Sequence, residues 1–404
     1  MVIQVNSGAG QGVFRRKVLY IPGYDPFPPR RYRELYRKEG AEQAAISGYQ
    51  LAIEGRPGSG HAWRVRSDMG QVAEAEVEVL VWSDLVRQSM GQGIAGTYLL
   101  LARTAWIYLH SGALRRLVRL RKGPMIAALY PAVLLVLQAL VALALAGLVW
   151  WLVPWPWVDW ALAAGTVWTV LAGFRRLDRR VYAYYLMHDY AFTALECGAY
   201  PAALEARLAE FRGRVREALA SGVDEVLVVG HSSGAHLAVS VLADLLREGV
   251  PERPALGFLS LGQVVPMVSF LPRAGRLRGD LRYLSAREEL TWVDVSAPGD
   301  GCTFALCDPV AVSGVAPEGQ RWPLVISAAF SQTLSPERWE ALRRRFFRLH
   351  FQYLCAFDNL SGGPGDYDYF RITAGPVTLA ERFRGRKPSA SRITGAASPH
   401  RDVA

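Results

Sequence analysis

The chain has 404 residues, a net charge of +10 and 51 % hydrophobic residues, with a mean hydropathy of +0.11. The length allows one large domain with additions or two ordinary ones, and the apolar share is high for a freely soluble enzyme. Many of the basic residues flank an apolar stretch or lie in the C-terminal tail, with no zinc-ligand spacing or RNA-recognition signature, which argues against nucleic acid and for a lipid bilayer as partner.

The first residues, MVIQVNSGAGQGVFRRK, carry no long apolar run ahead of their charges and do not read as a secretory signal peptide. Residues 17–21 (KVLYI) are a short apolar run ending in Pro22-Gly23, the pattern of a buried strand. A charged helix is expected over 30–45, then strands near 49–54, 61–66 and 74–82. Two apolar, aromatic stretches, 94–110 and 181–200, have interruptions and are expected to lie at a membrane surface or pack on the globular domain.

From Pro124 to Pro154 no residue is charged, and Gln138 is the one amide. A helix needs about 20 apolar residues to cross the hydrocarbon core. A second run, 157–174, carries Asp159 near its start and can span with that carboxylate at the interface. Trp150, Trp151, Trp155, Trp157 and Trp160 cluster at the turn between the runs, as at headgroup level, and arginines flank both outer ends. Residues 124–174 are therefore expected to form a transmembrane two-helix hairpin with cytoplasmic flanks.

Beyond it, 201–220 reads as an amphipathic helix, 225–230 (EVLVVG) as a buried strand and 234–248 as a helix. Further strands are expected at 255–261, 290–295 and 323–326, and one through 345–350. Strands alternating with helices predict an α/β fold: a mostly parallel sheet with helices on both faces. Residues 1–123 and 175–381 are then two parts of one domain, and 382–404 a basic, disordered tail.

Gly230-His231-Ser232-Ser233-Gly234 fits G-x-S-x-G, with a buried strand entering and a helix leaving. A serine in such a turn is lifted off the sheet, and the helix N-terminus aims free N–H groups at developing negative charge. Gly230 and Gly234 leave room for close strand–helix packing. The segment resembles the nucleophile elbow of the α/β-hydrolase superfamily, and GHSSGAHLA is similar to that of some esterases and arylformamidases. The resemblance covers residues 14–27 and 220–355. It lacks the usual HGG motif, and Tyr20-Ile21-Pro22-Gly23-Tyr24-Asp25 stands in the place of the oxyanion loop. The resemblance implies backbone N–H groups of Ser233 and Tyr24 as the oxyanion hole.

It also implies the chain order serine, acid, histidine. His188 precedes the serine, His400 is in the tail, His231 adjoins the nucleophile and points elsewhere, and His236 packs in the elbow helix. His350 remains as the base. Asp300, in a Pro-Gly turn after the 290–295 strand, is the expected acid, with Asp308 as its rival. Asp294 falls inside that strand, and Asp366 and Asp368 follow His350. Cys302 and Cys307 read as reduced thiols, and neither a metal nor a cofactor is expected. The expected function is an esterase- or lipase-like serine hydrolase acting on an acyl ester. An inactive hydrolase-fold scaffold and an acyltransferase with the same triad are the alternatives.

Overall fold

The structure is a computed structural model that describes residues 12–56, 58–155, 157–358 and 367–404. Most of the N-terminal stretch, Pro156 in the Trp-rich turn and Asp366 lie outside the described residues. Among the described residues eight strands are formed: β1 (Phe14–Ile21), β2 (Gln50–Gly55), β3 (Ala62–Asp68), β4 (Val72–Val79), β5 (Glu225–His231), β6 (Ala255–Leu261), β7 (Leu290–Ser296) and β8 (Leu324–Ser327). They make one sheet in the order β2-β3-β4-β1-β5-β6-β7-β8. The pairings of β3 with β2 and with β4 are antiparallel, and the rest are parallel. The mostly parallel α/β sheet expected from the sequence is thus present.

Side chains alternate across the sheet as a two-residue period requires. Val18 and Tyr20 of β1 join a core with Tyr32 and Tyr36 of α1 (Arg30–Ser47), whereas Leu19 and Ile21 join one with α8 (Ala202–Leu219) and α9 (Ser233–Glu248). Helices therefore cover both faces, which is why β5 is buried at all seven positions and reads as a continuous apolar run.

Between β4 and α8 the chain inserts α2 (Ser83–Ser89), α3 (Ile94–His110), α4 (Ala113–Leu120), α5 (Lys122–Leu152), α6 (Val158–Val181) and α7 (Ala183–Ala194). The stretches 94–110 and 181–200 pack rather than float: the Tyr98 hydroxyl of α3 donates to the Leu135 carbonyl of α5 at 3.0 Å, and Tyr108 to the Met267 carbonyl at 2.9 Å.

The expected pair of spans becomes one. Among the described residues only α5 is long and apolar enough to cross a membrane; its best 18-residue window has mean hydropathy 2.7 and is 22 % buried. In α6 only 160–174, fifteen residues, separates Asp159 from Arg175, short of the ~20 that a span needs.

Two other expectations are corrected. Residues 345–350 form no strand; Phe346–His350 is a short helix, because the backbone closes locally, Leu349 N–H donating to the Arg345 carbonyl at 2.9 Å and Phe351 N–H to that of Phe347 at 3.3 Å. The tail 382–404 is ordered: Ser389 N–H donates to the Val325 carbonyl at 2.8 Å, Ile393 N–H to Leu306 at 2.7 Å, and the Asp402 carboxylate pairs with the buried Arg278 at 2.8 Å. Its polar composition hid these backbone bonds, since they need no apolar side chain.

Candidate active site

The sheet order reverses direction between β1 and β5, and crevices at the carboxyl ends of strands open at such a switch point. Ser232 lies there, between β5 and α9, with φ 56° and ψ −122°, a backbone state strained for any residue with a Cβ. The flanking glycines are required. A Cβ on Gly234 falls 2.1 Å from the Ile21 carbonyl oxygen, and one on Gly230 falls 2.7 Å from the Ala235 Cα.

The loop after β1 runs against this turn. A Cβ on Gly23 falls 3.0 Å from the Ser232 Cβ and 3.4 Å from its Oγ. The loop is pinned from several sides: Trp82 Nε1 donates to the Pro22 carbonyl at 2.9 Å, the Tyr24 and Ser89 hydroxyls share a bond at 2.5 Å, and the Tyr185 hydroxyl donates to the Tyr24 carbonyl. Asp25 accepts from Phe27 N–H at 2.9 Å and from the Tyr32 hydroxyl at 2.6 Å. Ser232 N–H is donated to the Leu261 carbonyl at 2.9 Å, while the N–H groups of Ser233 and Tyr24 meet no acceptor among the described residues.

His350 arrives at the end of its short helix rather than on a strand. Its Nδ1 and Asp300 Oδ2 are 2.7 Å apart, both groups buried. Asp300 Oδ1 accepts Cys302 N–H at 2.9 Å, which fixes the carboxylate in its turn. His350 Nε2 is buried with no hydrogen-bond partner among the described residues. Ser232 and His350 line one pocket of about 100 Å³, together with Gly23, Tyr24 and Ser233. A wider vestibule of about 510 Å³ adjoins it and shares Asp25, Tyr185, Phe347 and Phe351.

The rival acid is elsewhere engaged. Asp308 caps the helix Pro309–Val312, accepting from Val310 and Ala311 N–H at 3.0 and 3.1 Å, and takes the Gln320 amide at 2.9 Å. Asp294 accepts from the Ser260 hydroxyl at 2.6 Å inside the sheet, and burial raises its pKa to about 7. Asp368 caps the helix Tyr369–Ala374. His236 bonds the Tyr200 hydroxyl through Nδ1 at 2.9 Å, and burial lowers its pKa to about 3. His188 bonds the Tyr184 carbonyl at 2.6 Å.

Three contributions escaped sequence reasoning. His231 does point away from the serine, yet its Nε2 meets the His350 backbone carbonyl at 3.0 Å and its ring lies 4.8 Å from the His350 ring. Burial, then the neighbouring His350, lowers the His231 pKa to about 3, so it is a neutral donor. Gly262, with φ 52°, leaves room for His350: a Cβ there falls 3.2 Å from the His350 Cε1 and 2.7 Å from the Tyr353 ring. Asp189 of α7 lines the pocket, and burial raises its carboxyl to about 7 against a smaller opposing pull from His350. The one acid among the aromatic and apolar residues of α7 was the available signal for it.

Asp300, Cys302 and His350 also offer donor atoms within 4.8 Å of one another, close enough for a metal ion. The direct Asp300–His350 bond already uses one atom of each, and burial, then Asp300 and Asp189, hold the Cys302 thiol well above its usual pKa, against the thiolate a metal takes. The arrangement fits a metal poorly. By comparison, the chain matches no protein-family model, no curated protein and no solved structure.

Proposed function

We propose that the chain is a serine hydrolase of the α/β-hydrolase type, associated with a membrane through α5, that cleaves carboxylic esters. The observation that carries this is the buried Asp300–His350 pair, whose histidine lines one pocket with a serine held at a strained strand-to-helix turn. A serine hydroxyl is a weak nucleophile until a positioned base takes its proton. With Nδ1 engaged by Asp300, His350 Nε2 is the ring atom left to do so.

In the proposed reaction Ser232 Oγ attacks the ester carbonyl carbon while its proton passes to His350 Nε2. Asp300 holds the tautomer and stabilises the imidazolium. The oxyanion accepts hydrogen bonds from Ser233 and Tyr24 N–H, at the positive end of α9. The C–O bond to the alcohol breaks, and the leaving oxygen takes the proton from His350. Water then attacks the acyl-serine, giving its proton to His350, and the acid leaves as Ser232 regains its proton.

The membrane part of the reading rests on α5. Its window is mostly unburied, and Val133, Val136, Leu137, Leu140 and Leu143 are exposed along it. The strands before and after α5 belong to one sheet, so in this reading α5 enters the bilayer and α6 brings the chain back to the same side, which the basic flanks make the cytoplasmic one.

The test is labelling of the full chain by a fluorophosphonate. Wild type is labelled and Ser232→Ala is not. Labelling that survives in Ser232→Ala removes the nucleophile assignment, and a folded but unreactive wild type points to a scaffold without activity.

A further inference from the structure

Beside the Ser232 pocket lies a cavity of about 170 Å³ walled by α3, α4, α5 and α7. Its lining is aliphatic and aromatic except for three hydroxyls, those of Thr104, Tyr108 and Tyr190. The Tyr108 hydroxyl is donated to the Met267 carbonyl, and that of Thr104 is buried without a partner. Water in such a space has few groups to bond, whereas methylenes gain by entering it.

Two observations connect this cavity to the chemistry. Tyr190 and Met267 line both the cavity and the Ser232 pocket, so the two spaces share a wall. Met125, Ala128, Leu129 and Ala132 of α5 face the cavity. They recur at i, i+3, i+4 and i+7, one face of a helix. The same helix carries exposed Ile126, Val133 and Leu137 on other faces. Leu109 and Leu129, 63 % and 42 % exposed, bring the cavity to the apolar surface of the inserted helices.

Resting on the hydrolase reading of Ser232, we infer that the substrate is a long-chain acyl ester whose chain occupies the cavity between α3, α4, α5 and α7 while its carbonyl sits at Ser232. The acyl chain enters along α5 from the bilayer side, and the alcohol part faces the vestibule near Tyr185 and Phe351. Small side chains at Ala128 and Ala132 set the depth of the chain's seat.

The test uses the full chain in a non-ionic detergent and a series of alkyl fluorophosphonates from ethyl to dodecyl. The leaving group is fluoride throughout, so only the chain varies. The second-order labelling rate of wild type rises by roughly fourfold per methylene, from the transfer value of a buried methylene, until the cavity is full, then levels off. Ala128→Trp and, separately, Ala132→Trp lower the dodecyl-to-ethyl rate ratio by roughly tenfold or more. Micelle partitioning is common to all three proteins and cancels when the ratios are compared. A wild-type rate that does not change with chain length overturns the inference, as does a ratio that both tryptophan variants leave intact. Wild type that no probe labels, or labelling that survives Ser232→Ala, overturns the hydrolase reading instead.

Discussion

His231 Nε2 lies 3.0 Å from the backbone carbonyl oxygen of His350, so the residue next to Ser232 holds the segment that carries the His350 ring. Because the His231 pKa is lowered to about 3, its ring stays neutral at working pH and its own titration stays out of the pH–rate profile. His231→Phe keeps the ring and removes the donor. Under the hydrolase reading it lowers kcat roughly fivefold, the worth of one neutral hydrogen bond, with the shape of the pH–rate profile unchanged. Steady-state kinetics on an activated ester check this, and wild-type kcat in the variant removes the positioning role.

Asp300 and Asp308 are separable by what each loses. Asp300→Asn leaves His350 with the wrong tautomer and lowers kcat by on the order of 10⁴-fold. Asp308→Ala removes a helix cap, costing about 1 kcal/mol of stability while kcat stays near wild type. If Asp308→Ala is the inactive one, the acid is misassigned.

One substitution has opposite signs at two glycines. Gly234→Ala drives a Cβ to 2.1 Å from the Ile21 carbonyl oxygen and destabilises by more than about 3 kcal/mol. Gly213→Ala in α8 meets nothing within 4 Å and stabilises by about 0.5–1 kcal/mol through helix propensity. Denaturant unfolding of the two variants measures both. A neutral Gly234→Ala contradicts the tight packing of the elbow on β1.

Asp189 adds a pH dependence of stability. Its folded-state pKa is raised to about 7, above the usual carboxylate value, so between about pH 4 and 7 the folded chain keeps a proton that the unfolded chain has released. Stability therefore falls as pH rises through that window. Asp294, raised in the same way, adds to it. Asp189→Asn cannot ionise, and the Tm of the variant relative to wild type rises from pH 5 to pH 8. A Tm difference independent of pH contradicts a carboxyl kept neutral by the fold.

The span reading of α5 predicts that the chain resists carbonate extraction from membranes. Leu137→Lys with Leu140→Lys places two charges on exposed positions of the helix, each costing about 2.5–3.5 kcal/mol at the bilayer centre. The double variant moves to the extractable fraction. Extraction of wild type itself removes the span.

Much of the framework is legible in local pattern. The strands 255–261 and 290–295, the helix 201–220 and the elbow around Ser232 all lie close to where periodicity and turn chemistry set them, because a buried strand or an amphipathic helix is written into neighbouring residues. The uncharged stretch before Pro154 declares a long apolar helix for the same reason. Other features depend on groups far apart in the chain, and only the folded structure decided them. Asp300 rather than Asp308 meets His350 because of the direction in which each turn aims its carboxylate. His231 braces His350 across 119 positions, and the polar tail is ordered by backbone bonds to β8 and to the 306–308 turn. Asp189 joins the pocket because the inserted helices fold back over the carboxyl ends of the strands, a closure that no local period encodes.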